Sequence, residues 1–384
     1  MIGLIEIAFW ASVLLIIYPY LLYPALIALM GMINSRPVRK AHHEPSVTIL
    51  IPAYNEVDCI GATIQNKLEL SYPKNLLQIL VVSDGSDDGT DGVIQKFAGN
   101  GVELLRCEGR EGKAAALNAA VKHARGEIVV FSDANSLFSA DALRFLMENF
   151  ADPEVGYVTG SLQFSDDPNS GVAGTGGGVY LRYENSLRLG ESKVGSIIGV
   201  NGGVDAIRRD LYTDIPKQLI TDFVLPLTVI AGGGRVIYEP RALAREMANT
   251  EVASEFRMRV RVALRALQGM AYMRHLFDPF RYPLTFFCLL SHKVIRYLAF
   301  IFVITAFVAN CMLAIELSPY RIVLGLHISG YVLALLGLYV QPPGILGRLA
   351  AAPSYLLMSY AAFAIALFRF MRGDTMATWK PRAG

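Results

Sequence analysis

The sequence predicts an α/β domain with a mostly parallel sheet, set between apolar helices long enough to cross a bilayer. Composition is the first reason: of 384 residues, 53% are apolar and only 18% charged, with a mean hydropathy of +0.39. A soluble domain is usually a little under half apolar and about a quarter charged. The second reason is rhythm, because short Val- and Ile-rich runs at residues 47–51, 79–82 and 128–131 alternate with helical stretches. That alternation is the mark of βαβ units. The third is the return of long, nearly uncharged segments on both sides of this region.

Taken in chain order, residues 4–33 carry no charge after Glu6, and about 20 apolar residues suffice for one spanning helix. Residues 1–35 are therefore a transmembrane segment. A cleavable leader fits poorly, since the run is long, has no basic start and contains Pro19 and Pro24. Arg36, Arg39 and Lys40 follow directly, which by the positive-inside tendency places the next domain, residues 44–250, in the cytoplasm. Its helices are expected at 58–70, 91–98, 113–124 and 140–150, each beside a turn signal such as Asp84, Gly85, Ser86.

Residues 251–296 are expected to lie at the membrane surface. Arg257, Arg261 and Arg265 recur every four residues on one helical face, opposite Phe256, Val260, Leu264 and Leu267. His292, Lys293 and Arg296, just before the next apolar run, read as residues snorkelling to the interface. Within 297–370, spans are expected at 297–317, 322–340 and 349–368, separated by Ser318, Pro319 and by Pro342, Pro343, Gly344. One span before and three after would leave the basic tail, 371–384, outside, although Arg369, Arg372, Lys380 and Arg382 favour the inside. Either one apolar run lies in the membrane plane or the charge rule fails here. The location expected is a cell membrane, inner or plasma, crossed several times.

A net charge of +2 gives no basic field for a nucleic-acid partner. Cys59, Cys107, Cys288 and Cys311 are too scattered for a metal knuckle and too few for a disulfide scaffold. The chemistry is expected at strand ends, where open α/β sheets bind ligands. The first strand runs into Ala53, Tyr54, Asn55 and Glu56, and the second into Asp84. The third ends at Asp133 with Asn135 two positions on, a pair of oxygens suited to a hard divalent cation such as Mg²⁺ or Mn²⁺; an ordinary turn accounts for such a pair equally well. Residues 109–113 fail as a phosphate loop, because Cys107 and Ala114 stand where glycine and Ser or Thr belong. Gly174, Gly176, Gly177 and Gly178 fail the dinucleotide spacing and read as a flexible substrate loop.

In order along the chain, VTILIPAYNE (47–56), VVSDGSDDGT (81–90), GKAAALN (112–118), SDAN (132–135), GVNGGVDAIR (199–208) and ITDF (220–223) resemble glycosyltransferase family 2. The branch resembled is the membrane-integrated one of hyaluronan, cellulose and poly-N-acetylglucosamine synthases. The resemblance implies a GT-A, Rossmann-like fold and an inverting transfer from a nucleotide sugar, a UDP-sugar above all, to a growing exopolysaccharide glycan. It implies that Ala53, Tyr54, Asn55, Glu56, Asp84, Lys113 and Arg261 contact the nucleotide sugar, that Asp133 and Asn135 hold the cation, and that Gly202 and Gly203 line the acceptor side. Asp222 takes the position of the general base. Asn135 replaces the usual second acid, and Met258 and Val262 replace the Gln and Trp of the Gln-x-x-Arg-Trp signature, leaving only Arg261. The lost indole favours, as a second reading, single addition to a lipid or polyprenyl-phosphate carrier. A third is a catalytically silent nucleotide-sugar-binding subunit of a synthase or export complex. Expected partners are the nucleotide sugar, a glycan or lipid-linked acceptor, the bilayer and export or synthase subunits.

Overall fold

The computed structural model describes residues 2–164, 172–246, 252–342 and 344–375. The basic residues Lys380 and Arg382 lie outside them. Helices α1 (Ile2–Ile17) and α2 (Tyr23–Ile33) form one rod joined by a π-helical turn, Tyr18–Leu22, at Pro19. Proline removes a backbone donor and forces the ladder to readjust, so the irregular turn falls there.

Next come β1 (Val47–Ala53), α3 (Ile60–Leu68), β2 (Leu77–Ser83), α4 (Thr90–Gln95) and β3 (Val102–Arg106). After these follow α5 (Lys113–Val121), β4 (Ile128–Ser132), a short β5 (Leu137–Phe138), α6 (Ala142–Glu148) and β6 (Val155–Phe164). The long α7 (Val172–Val194) precedes β7 (Val204–Arg208), α8 (Thr221–Ala231) and β8 (Arg235–Glu246). These strands form one eight-stranded sheet in the order β3-β2-β1-β4-β7-β6-β8-β5. Four of its seven neighbouring pairs are parallel, so the sheet is mostly parallel, as expected. Every residue of β1 is buried, which is why its sequence is continuously apolar rather than alternating.

The order reverses between β1 and β4, and their carboxyl ends open one crevice, the usual ligand position of a doubly wound sheet. The expected loop at Gly174 to Gly178 is instead the first turns of α7.

Helix α9 (Val252–Tyr272) is followed by α10 (Pro283–Cys288), a π-helical turn (Leu289–Val294), α11 (Ile295–Glu316), α12 (Ser318–Tyr339) and α13 (Gly344–Met371). Four helical stretches among the described residues are long and apolar enough to cross a membrane: Ile2–Ile33, Pro283–Glu316, Ser318–Tyr339 and Gly344–Met371. Leu4, Ile7, Leu14, Ile304, Ile315 and Ile322 are exposed on them, the surface of a lipid-facing bundle. One apolar core joins both parts, because Tyr23 and Ile27 of α2 are buried in the same cluster as Leu187, Phe223, Met270 and Leu289.

The last helix does not follow its neighbours. Ser354 donates to Ala334 O near the end of α12 (2.8 Å), Arg259 of α9 donates to Ser359 (3.1 Å), and Gln268 donates to Asp374 O (2.7 Å). The Phe363 ring lies 4.8 Å from that of Tyr297, at the start of α11. From about residue 359 to its end at Met371, α13 therefore runs beside α9.

Candidate active site

The loop after β1 is fixed by the one after β2. Asn55 and Asp87 exchange bonds, Asn55 Nδ2 to Asp87 Oδ1 at 2.8 Å and Asp87 N to Asn55 Oδ1 at 3.0 Å. Glu56 N donates to Thr90 Oγ1 (2.9 Å) and Val57 N to Asp88 Oδ2 (3.1 Å). The run of Ser, Asp and Thr after Asp84 thus caps the neighbouring loop with side-chain acceptors. Asn55 adopts φ 54°, which asparagine tolerates better than most residues.

Asp84 is wholly buried. Its two oxygens accept from Glu111 N and Gly112 N, both at 2.9 Å, and Gly112 stands at φ 103°. Burial pushes its carboxyl above the ordinary value, and the two backbone donors oppose that push. Above it, the Arg110 guanidinium covers the Tyr54 ring at 3.9 Å. Ala53 is buried and accepts from Asp84 N at 2.9 Å.

A cavity of about 330 Å³ lies at the β1–β4 crevice. Asp133, Asn135, Lys113, Asp222, Glu56 and Arg261 line it. Lys113 Nζ joins the two acids, at 2.7 Å from Asp133 Oδ1 and 3.6 Å from Asp222 Oδ2. Burial disfavours its charge, but Asp133 and Asp222 outweigh that and hold the ammonium above the usual lysine value. Asp222 sits in the first turn of α8, where Thr221 Oγ1 donates to it at 3.1 Å. A left-handed turn at Gly202 (φ 87°) wraps it, and a Cβ there would fall 2.5 Å from Asp222 Oδ2. Gly203 faces Glu246 and Ser136, at 2.6 and 2.8 Å from an added Cβ.

The structure thus gathers Asp133, Asn135, Lys113, Glu56, Asp222 and Arg261 around one space. It leaves Ala53, Tyr54, Asn55 and Asp84 outside that lining. Asp133 and Asp222 meet across it, while Asp84 closes the 109–112 loop beside it. The membrane-surface face of α9 is corrected. Arg257 is exposed, but Arg265 is buried and donates to Leu219 O at 2.6 Å, and Arg261 faces the cavity. Nor do His292, Lys293 and Arg296 snorkel. His292 and Arg296 are fully enclosed, and Lys293 lines the cavity.

Asp205 was not legible as a site residue, although it lies in the 199–208 motif. It is buried behind Gly202, accepting from Tyr157 OH (2.9 Å), Gly202 N (3.1 Å) and Thr159 Oγ1. Burial first and the Asp222 charge second push its carboxyl up to about 7.

For a divalent cation, Asp133 and Asn135 offer two hard oxygen donors on one wall. No cluster of three or more His, Cys, Asp or Glu suited to a metal occurs among the described residues. This fits a half-site to be completed by the oxygens of a diphosphate.

An open sheet with its crevice at a β1–β4 switch point, two facing carboxylates and a GT-A architecture define a glycosyltransferase. Residues 48–211 match the family described as glycosyl transferase family 2. The poly-beta-1,6-N-acetyl-D-glucosamine synthase of Staphylococcus aureus (strain MSSA476) is 27% identical over 238 residues, 60% of this chain and 57% of that protein. The Staphylococcus epidermidis enzyme of the same name is 27% identical over 233 residues, covering 58% and 56%. The chain thus spans little more than half the length of these relatives. A solved structure titled mannosyltransferase PcManGT from Pyrobaculum calidifontis in complex with GDP-Man and Mn²⁺ superposes with a TM-score of 0.73 at 24% identity, over 96% of this chain and 99% of that one. That likeness establishes the fold.

Proposed function

We propose that this chain transfers a sugar from a UDP-sugar, with inversion, to a glycan hydroxyl presented at the cytoplasmic face of a membrane, in the synthesis of an exopolysaccharide. The observation that carries this reading is the pair Asp133 and Asp222 facing one cavity with Lys113 between them. Asp222 accepts the proton of the acceptor hydroxyl as its oxygen attacks the anomeric carbon. The bond from that carbon to the diphosphate breaks, and its electron pair leaves with the diphosphate. Lys113, held protonated, places positive charge beside the departing oxygens. Asp133 and Asn135 would hold a divalent cation, which when bound neutralises charge on the diphosphate. Tyr54, Asn55 and the Asp84-closed loop frame the nucleoside, and Arg261 meets the diphosphate from α9.

The arrangement of the helices supports three crossings. The rod α1–α2, α11 and α12 cross, while α13 lies along the interface beside α9. The chain then returns to the catalytic side, where Arg369 and Arg372 satisfy the positive-inside tendency.

Asp222→Asn tests the mechanism. A positioned base contributes about 10²- to 10⁴-fold, so transfer should fall by that order while UDP binding is retained. Unchanged turnover refutes the assignment.

A further inference from the structure

Helix α3 turns one face to the loop that carries Asp133 and Asn135. Thr63, Asn66 and Lys67 stand at i, i+3 and i+4, hence on one face of the helix, and each donates to a backbone carbonyl of the loop. Thr63 Oγ1 donates to Ala134 O at 2.6 Å, Lys67 Nζ to Ser136 O at 2.6 Å, and Asn66 Nδ2 to Phe138 O at 2.9 Å. Asn66 Oδ1 also accepts from Phe138 N at 2.8 Å. The loop itself is a four-residue turn, closed by Ser136 N on Asp133 O at 3.2 Å. Asp133 and Asn135 are its first and third residues, partly exposed and lining the cavity, while Ala134 and Ser136 are buried.

In such a turn the central peptide, here Ala134 to Asn135, sets the turn type and with it the direction of the third side chain. A flip of that peptide would carry Asn135 to positive φ, which asparagine tolerates better than most residues. Among the described residues other than glycine, positive φ is confined to Asn55 and Gln341, so Asn135 holds the unflipped form. The Thr63 hydroxyl bonds the carbonyl of that very peptide. Lys67 holds the next free carbonyl from a wholly enclosed position, where burial keeps its ammonium well below the ordinary lysine value and the Glu246 charge opposes that push. An apolar side chain would fill the space without that desolvation penalty, so the position uses the donor. From the other side, the Ser136 hydroxyl donates to the buried Glu246 at the end of β8.

We infer that Thr63, Asn66 and Lys67 are positioning residues for the cation half-site, holding the 133–136 turn in the form that presents Asp133 and Asn135 on one wall. This rests on the proposed reading of those two residues as cation ligands. Groups that orient metal ligands from behind account for about 10- to 100-fold in metal affinity.

The test uses the full chain in phosphatidylcholine nanodiscs with UDP present, and follows Mn²⁺ uptake through loss of the free-ion electron paramagnetic resonance signal. Thr63→Val keeps the shape of the side chain and removes its donor, so Mn²⁺ should bind about tenfold more weakly, whereas Thr63→Ser should stay within about twofold of the wild type. Lys67→Met should weaken binding by about 10- to 100-fold, and where that variant does not fold the Thr63 pair decides alone. Thr48→Val is the comparison. Thr48 makes equally buried bonds, to Gln78 Oε1 at 2.7 Å and from Gly126 N at 2.8 Å, at the opposite end of β1. Its loss should lower the thermal midpoint at least as far and leave Mn²⁺ affinity unchanged. Equal affinity in the wild type, Thr63→Val and Lys67→Met overturns the inference and leaves the half-site standing. A matching loss in Thr63→Ser or Thr48→Val overturns it too, marking a general loosening of the fold. A wild type that takes up no Mn²⁺ with UDP refutes the half-site itself, and the inference falls with it.

Discussion

Gly202→Ala probes the mechanism without touching an ionisable group. The substitution has two consequences, which a second glycine separates. At φ 87° an alanine is strained, at a cost of about 1–2 kcal/mol. Its Cβ would also lie 2.5 Å from Asp222 Oδ2 and 2.7 Å from Asp222 Cγ. Ordinary contact needs roughly 3.4 Å, so the carboxylate must retreat by about 1 Å, and a misplacement of that size at a reacting group costs about 10²-fold. Gly233 stands at φ 86° with nothing within 4 Å of an added Cβ. Gly233→Ala therefore carries the same backbone strain and no contact. Both variants should lower the thermal midpoint by similar amounts. Only Gly202→Ala should lose about two orders of magnitude in kcat, with KM for the nucleotide sugar little changed. Initial rates of radiolabelled sugar transfer in detergent, from a panel of nucleotide sugars with native lipid extract, give both parameters. Equal activity in the two variants would refute the placement of Asp222 at the reacting centre.

Three further outcomes follow from the same geometry. Lys113→Met leaves Asp133 and Asp222 facing each other without the intervening cation, so transfer should fall by about 10²-fold or more, and Lys113→Arg should restore part of it; full activity in the methionine variant would count against a role for this charge. Asp205 binds its proton more tightly folded than unfolded, so the folded state gains protons between about pH 4 and pH 7. Stability should decline as pH rises through that window, by about 4 kcal/mol in all, and Asp205→Asn should flatten the thermal midpoint between pH 5 and pH 8; parallel curves would show that Asp205 is already ionised at pH 5. Asn135→Asp adds a formal charge to the cation half-site, so the Mn²⁺ concentration giving half-maximal rate should drop about tenfold, and a rate indifferent to EDTA in both forms would remove Asp133 and Asn135 from that role.

Much of the catalytic half was legible because its signals are local. Buried parallel strands must be continuously apolar, and loops at their carboxyl ends must supply the chemistry, so residues 47–56, 81–90 and 132–135 announced their places. The partners of Asp84 were not legible for the opposite reason. Its partners are the backbone amides of Glu111 and Gly112, and no side chain in the sequence records that they return to β2. Lys293 looked like an interfacial lysine because a cation before an apolar run normally reaches for water. Its inward turn depends on Glu184 and Glu191, about a hundred residues away in α7, and on a π turn that periodicity does not reveal.

The position of α13 shows why hydropathy alone left the topology open. Hydropathy measures whether a segment tolerates hydrocarbon and says nothing about direction, so a helix that crosses and one that lies along the interface read alike. In the proposed arrangement what distinguishes α13 is contact: Ser354 touches the end of α12, Ser359 touches α9 and Phe363 touches the start of α11. By bracing α9, α13 also supports Arg261 and Arg265 where they enter the cavity. The walls of the site thus come from the sheet on one side and from membrane-associated helices on the other. Asp222 and Lys293 both line it, at the boundary where those two parts join.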